Sequence, residues 1–385
     1  MEGVGVTLDA LFGGALFNGA LFDGVYAGKR VLVTGHTGFK GSWLALWLQA
    51  MGARVCGLSL PAAAGLGHHR LLRPSFDEAL VDLRNAQEVR SALQRFQPEV
   101  VFHLAAQALV RRSYREPAAT FDTNVMGLVN LLEAVRATPS VRAVVNATTD
   151  KCYLNRETTR GYVEDDALGG HDPYSASKAC AEIVSASYRN SFLQSAVALA
   201  TARAGNVVGG GDWSEDRLIP DLVRTAVRGE ATTIRNPLAT RPWQHVLEPL
   251  AGYLLLGQRL TADANDAAEA WNFGPDAAGH LSVAEVITQL SAHWPAIRTV
   301  ADTRPQPHEA TLLHLDCRKA SARLGWRPVW DARTTFQRTA QWYRAQHERG
   351  EVRSLQDLHR YVADARDAGM AWAAPLAVPQ EIAVA

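Results

Sequence analysis

From Arg30 onward the chain alternates short apolar runs with amphipathic stretches, the pattern of βαβ units wound about a parallel sheet. Residues 30–34 read as the first strand, 42–51 as the helix after it, 54–60 as a second strand and 100–104 as a later buried one. Residues 119–136 and 174–190 carry helical spacing, with strands at 142–147 and 196–202 beside them. The fold class is therefore α/β, a doubly wound parallel sheet.

Past Asn206 the regularity decays into Gly209-Gly210-Gly211-Asp212-Trp213 and then Arg241-Pro242-Trp243, before helical spacing returns near 248–258. That shift predicts a smaller, discontinuous α/β substrate domain. The expected division is 29–205 for the dinucleotide-binding domain, rejoined by about 240–275, with 206–239 and 276–350 forming the substrate domain. Residues 351–385 read as a C-terminal helix and a loose Ala/Pro-rich tail.

Residues 1–28 differ from the rest, because Leu11-Phe12, Leu16-Phe17 and Leu21-Phe22 recur every five residues between glycines. Five matches neither a helix nor a strand, no lysine or arginine precedes Lys29, and the glycines break each apolar run. An accessory extension, packed on a partner, is the expectation; a signal peptide or a membrane span is not.

Lys plus Arg (39) balance Asp plus Glu (39), so the basic excess of a nucleic-acid or anionic-membrane binder is missing. Cys56, Cys152, Cys180 and Cys317 lie far apart without zinc-ligand spacing, which predicts reduced thiols and fits a cytoplasmic home. Adjacent His68 and His69 aim in different directions on any regular element, so they read as a solvated loop and no metal is expected.

The run Val33-Thr34-Gly35-His36-Thr37-Gly38-Phe39-Lys40-Gly41 sets three glycines at the turn from a buried strand into a helix. Gly35 suits the tight turn, Gly38 clears space for a pyrophosphate, and Gly41 permits close helix packing, which is the Rossmann-type nucleotide turn. The helix N-terminus, around Thr37, Phe39 and Lys40, then presents free N–H groups to the anion. Asp82-Leu83 is a candidate adenine contact, although Asp82 equally suits a cap for a helix at 85–96. Ala105-Ala106-Gln107 follows a strand end where small side chains let a cofactor lie across. The second strand ends at Ser59 without the carboxylate that binds a ribose 2′-hydroxyl, so NAD is favoured and NADP stays possible, with Ser59 and Lys40 tolerating either.

Tyr174-Ser175-Ala176-Ser177-Lys178 puts a phenol and an ammonium one helical turn apart, and the ammonium can ease deprotonation of the phenol. Thr148-Thr149-Asp150-Lys151 lies just past the strand at 142–147. The glycine turn, Thr149 and the Tyr174/Lys178 pair together resemble the extended short-chain dehydrogenase/reductase family, from about Lys29 to Trp330. The resemblance implies that Thr149 binds a sugar 4-hydroxyl, Tyr174 removes its proton and Lys178 also holds the nicotinamide ribose. The acid after the threonine is similar to the nucleotide-sugar 4,6-dehydratases. The runs through Trp43, Thr149-Asp150-Lys151-Cys152-Tyr153, Gly209 to Trp213 and Arg241 to Val246 resemble their CDP-glucose branch, which supplies deoxysugars of the lipopolysaccharide kind. Many dehydratases carry glutamate where Lys151 stands, although this branch has lysine.

By the same likeness Asn206, following Arg203, and Arg241 bind a diphosphate, which a guanidinium fork and an amide suit chemically. Arg241 also suits an interdomain ion pair, and Trp213 and Trp243 either flank a base or join the core. The expected substrate is a CDP-sugar, with Gln107 and Arg203 as further contacts, and the resemblance alone selects cytidine. A 4-epimerase, an inverting UDP-sugar dehydratase and a non-catalytic nucleotide sensor are the competing readings. The helices at 119–136 and 174–190 resemble the family's intersubunit bundle, with Ala179, Ile183, Val184 and Ala186 as its surface, so a homodimer or tetramer is expected.

Overall fold

The computed structural model describes residues 17, 20–62, 64–193, 196–262, 265–302 and 313–374. Its centre is a seven-stranded parallel sheet of β1 (Arg30–Thr34), β2 (Arg54–Ser59), β3 (Asp77–Leu80), β4 (Val100–His103), β5 (Ala143–Ala147), β6 (Ala198–Ala204) and β10 (Ala270–Phe273). In two smaller sheets β9 (Thr240–His245) pairs with both β7 (Asn206–Val208) and β11 (His280–Ser282), and β8 (Ala231–Ile234) pairs with β12 (Arg298–Ala301). The large sheet runs β3-β2-β1-β4-β5-β6-β10, so the winding reverses between β1 and β4 and opens a crevice at their carboxyl ends.

Each central strand is buried along nearly its whole length because both sheet faces are covered. In β1, Val31 and Val33 enter a core with Trp43 and Trp47 of α1 (Phe39–Ala50), whereas Leu32 joins Val89 of α2 (Ala86–Phe96) and Leu131 of α3 (Gly127–Arg136) on the opposite face. Each such fully buried side chain contributes roughly 1.5–3 kcal/mol. The strand β3 escaped the apolar signal because its sequence is Asp77-Glu78-Ala79-Leu80 and it lies at the sheet edge, where only Ala79 is buried. Asn85, rather than Asp82, caps α2, its side chain accepting from the Glu88 amide.

The expected helix at 119–136 is broken into Pro117–Phe121, a π turn at Asp122–Met126 and α3. Next along the chain come α4 (Pro173–Tyr188), α5 (Leu247–Thr261), which is buried nearly all round, α6 (Ala332–Arg349) and α7 (Ser354–Asp367). Glu248 of α5 accepts from the Val329 and Trp330 amides and from the Tyr361 hydroxyl, fixing the C-terminal helices to the sheet.

Two expectations about the ends are corrected. Leu21 and Phe22 of the N-terminal extension pack within their own subunit: the Phe22 ring stacks on Trp372 with centroids 5.0 Å apart, and the Tyr26 hydroxyl donates to the Leu254 carbonyl at 2.5 Å. Trp372 is thereby buried although the tail after Gly369 reads as loose. The repeats at Leu11-Phe12 and Leu16, and the tail past Ala374, lie outside the described residues. Among the described residues no helix is long and apolar enough to cross a membrane.

Candidate active site

The glycine turn follows β1 directly into α1. Gly35 adopts φ +74°, and a Cβ there would come within 2.7 Å of the Ala105 amide, so the turn and the end of β4 touch backbone to backbone. A Cβ on Gly41 would strike the Gly35 carbonyl at 2.1 Å, whereas one on Gly38 meets only that carbonyl, at 3.2 Å. Glycine at 38 thus leaves room for something outside the protein. No side chain caps α1, whose first N–H groups remain available to an anion. Thr37 and Ser59 bond through their hydroxyls at 2.6 Å, joining the turn to the end of β2. A dinucleotide pyrophosphate fits this cradle.

The side chains of three expected contacts around it bond within the chain. Lys40 stands away from Ser59: its Nζ donates to the Tyr253 hydroxyl at 3.5 Å, beside the charges of Arg217, Lys178 and Asp150. Being on the first turn of α1, it points across the crevice rather than back toward β2. Burial first, then Arg217 and Lys178, push it down to about 7. Gln107 turns inward, donating to Leu109 O and Thr120 Oγ1 and accepting from the Leu109 amide, so it builds its own turn. Asp82 is clasped by the guanidinium of Arg84, which holds its carboxyl below the usual range; Leu83 is core, and its carbonyl accepts from Asn130. Ala105 stays at the crevice floor, its amide donating to Thr34 Oγ1, with Ala106 next in the same bend.

The chain leaves β5 at Ala147 and enters a short turn in which Thr149 donates to Asp150 Oδ1 at 2.9 Å and accepts from the Lys151 amide. Opposite lies the start of α4, set by Asp172, which accepts from the Ser175 amide, and by Pro173 at the first helical position. That start puts Tyr174 and Lys178 on the inner face, both buried. Burial pushes the Tyr174 phenol up to about 12, against the downward pull of the Thr149 hydrogen bond and then the Arg217 charge. Lys178 donates from Nζ to the Ala147 carbonyl at 2.9 Å. Burial lowers it to about 8, with Glu182 and Cys152 pulling the other way. Arg217, whose charge pulls the phenol down, is a residue the sequence pattern did not single out.

Asp150 is 1 % exposed, and its Oδ2 is buried without a hydrogen-bond partner. Lys151 Nζ lies 3.6 Å from Asp150 Oδ1 with a third of its side chain exposed. The turn therefore sets a buried carboxyl beside a partly exposed ammonium.

Arg203 is a correction. It is buried, its guanidinium bonded to Glu182 Oε2 at 2.9 Å, to the Tyr153 hydroxyl at 2.7 Å and to the Glu164 carbonyl, which leaves no face for a substrate. Glu182 stands four residues beyond Lys178, so the helical period that links Tyr174 to Lys178 also marks it. It accepts from Thr148, Thr201 and Arg203, and although burial favours its neutral form these partners hold its carboxyl below the usual range. Asn206 and Arg241 share the small sheet, Asn206 in register with Trp243 and Arg241 with Leu281. Trp243 belongs to the core, its Nε1 donating to the Leu281 carbonyl. Trp213 is half-buried against Tyr343, with its Nε1 unpartnered. The glycines before it serve packing: a Cβ on Gly210 would overlap the Trp342 ring, and the Gly210 carbonyl accepts from Trp43 Nε1.

His68 and His69 form no loop. They open a short helix, where His68 is buried between Ser42 and Ser354 and stacked on Trp43, while His69 reaches Glu78.

A family model described as GDP-mannose 4,6 dehydratase matches residues 32–339. The CDP-glucose 4,6-dehydratase of Salmonella typhimurium is 47 % identical over 83 % of this chain and 92 % of that protein. The dTDP-glucose 4,6-dehydratase of Streptomyces venezuelae, solved with NAD bound, shares 27 % identity at a TM-score of 0.69, covering 83 % of this chain and 98 % of that one. The UDP-glucose 4-epimerase of Thermus thermophilus, also solved with NAD, shares 26 % at a TM-score of 0.71 over 82 % of this chain and 98 % of that one. The glycine turn, the buried Thr149-Asp150-Lys151 bend and the Tyr174/Lys178 helix thus sit in a chain that belongs to the GDP-mannose 4,6 dehydratase family of nucleotide-sugar dehydratases.

Proposed function

We propose that this protein is an NAD-dependent lyase that converts CDP-D-glucose to CDP-4-keto-6-deoxy-D-glucose. The observation that supports the reading is the buried, unpartnered Asp150 Oδ2 next to Thr149, on the bend that faces the Tyr174 helix, because a dehydratase needs an acid for the departing 6-oxygen. A 4-epimerase needs no acid for the 6-oxygen.

NAD, when bound, supplies the hydride acceptor for C4 and the donor for C6. The Gly35–Gly41 turn, the free N–H groups of α1, Ser59 and the Ala105–Ala106 bend would hold it, with Lys178 at the nicotinamide ribose. Tyr174 takes the 4-hydroxyl proton, and Thr149 orients that hydroxyl. The resulting 4-ketone makes the C5 proton acidic. Lys151 removes it when neutral, and Asp150 protonates the departing 6-oxygen so that water rather than hydroxide leaves. A proton returns to C5 from the same pair. Asn206 and Arg241 bind the diphosphate.

The protein acts in the cytoplasm on a CDP-sugar and assembles as a homodimer or a dimer of dimers. Support for assembly comes from Ile183, Phe192, Met126 and Phe121, all exposed on helices that pack side by side. Ala179 is buried within the subunit and Val184 packs into the core, so neither of these adds to that surface.

Incubating the pure protein with NAD and CDP-, UDP-, dTDP- or GDP-glucose tests the reading. A 4-keto-6-deoxy product from CDP-glucose in preference to the others is expected. Exchange at C4 alone, with water retained, overturns it in favour of the epimerase.

A further inference from the structure

Beyond the crevice, one cluster of ligand-bearing side chains is used by none of this chemistry. His36 of the glycine turn, His69 of the short helix His68–Leu72 and Glu78 of β3 converge so that one ligand atom from each lies within 4.8 Å of the others. His36 Nε2 is 3.0 Å and His69 Nε2 3.1 Å from the same oxygen, Glu78 Oε1. Ligands on a tetrahedral zinc ion, bound at about 2.0–2.2 Å, stand roughly 3.3 Å apart, so the two imidazole-to-carboxylate separations need to open by only a few tenths of an ångström, with all three ligand atoms already within 4.8 Å of one another.

The rings are held for this. His36 is fully buried, and a Cβ on Gly57 would fall 2.6 Å from its ring, so glycine in β2 is what leaves the imidazole its seat. Phe76 and His69 lie edge-on to the same ring. Glu78 keeps a third of its side chain exposed, which provides an entry path and room for water as a fourth ligand.

We propose that His36, His69 and Glu78 form a binding site for a first-row divalent metal ion of the zinc class. Two imidazoles and one carboxylate favour Zn²⁺ or Co²⁺ over Mg²⁺ or Ca²⁺, which take oxygen ligands. The ion would clip together the glycine turn, the His68–Leu72 helix and the edge strand β3.

Untagged protein, stripped with chelator and dialysed, is titrated with Co²⁺ and followed by visible absorption. One equivalent bound with the intense bands of a four- or five-coordinate site is expected, displaced by Zn²⁺ and not by Mg²⁺. His69→Ala and Glu78→Gln each weaken binding at least about tenfold, and Zn²⁺ raises the melting temperature of the wild type but not of these variants. Replacing His314, half of the separate His280/His314 pair, by Ala leaves binding unchanged. Weak octahedral Co²⁺ absorption only, binding undiminished in both His69→Ala and Glu78→Gln, or binding lost in His314→Ala overturns the proposal. Glu78→Gln, on an exposed edge, covers the case in which His69→Ala fails to fold.

Discussion

Thr149 donates its hydroxyl proton to Asp150 Oδ1 at 2.9 Å, and the same side chain pulls the Tyr174 phenol down against the effect of burial. In the proposed mechanism oxidation at C4 and dehydration at C5/C6 use adjoining residues of one bend, so substitution should separate the two steps. Tyr174→Phe is expected to stop even the first oxidation. Asp150→Asn and Lys151→Met should keep cofactor binding and lose about 100-fold or more in product formation, the usual weight of a general acid or base. NADH absorbance in single turnovers, together with deuterium entry at C5 from heavy water, reads both steps. Near wild-type product from both variants would falsify the assignment.

Burying Glu182 and Arg203 together removes two opposite charges from water at once, each almost fully buried. Glu182→Gln strands the guanidinium, and the expected loss is about 3–5 kcal/mol in urea unfolding. The same change removes the charge that supports the Lys178 ammonium. A loss under 1 kcal/mol contradicts the pairing.

Lys40 carries a pH signature. Burial lowers it to about 7 from an ordinary value of 10.5, so between those limits the unfolded chain holds a proton that the folded chain has released. Stability then rises with pH across that window, and the handicap is complete below about pH 7. Lys40→Met should be more stable than wild type at pH 7, with the gap closing toward pH 10. Thermal unfolding of both proteins without cofactor measures it; a constant gap is the contrary result.

Ser59 ends β2 with its hydroxyl bonded to Thr37, and it carries no carboxylate to repel a 2′-phosphate. NAD is expected to bind more tightly than NADP, but by less than about a thousandfold, roughly 4 kcal/mol. Calorimetric titration of each cofactor decides it.

Ile183 lies 58 % exposed on α4, and Phe192 beyond its end is 52 % exposed. Ile183→Glu should shift the protein toward monomer in light scattering at micromolar concentration while its circular dichroism is unchanged. A wild-type mass equal to one chain removes the basis of the prediction.

The sequence by itself determined the parallel sheet, the glycine turn and the Tyr174/Lys178 helix. Each is written in short-range spacing, since a buried strand is an unbroken apolar run, Gly35 needs a positive φ within its own turn, and four residues bring side chains onto one helical face. The π turn at Asp122–Met126 and the polar edge strand β3 escaped because neither has a periodic signature. Other features depended on partners far along the chain. Arg203 resembles a phosphate ligand until Glu182 and Tyr153 enclose it, Lys40 reads as a cofactor contact until the crevice sets it beside Tyr253, and Phe22 finds Trp372 from the opposite end of the chain. His36, His69 and Glu78 have no spacing that marks a metal site, and only the packing of β1, β2 and β3 side by side brings them together. The tertiary structure decided these cases because a charged or ring side chain takes its role from what surrounds it once water is excluded, and sequence distance does not carry that information.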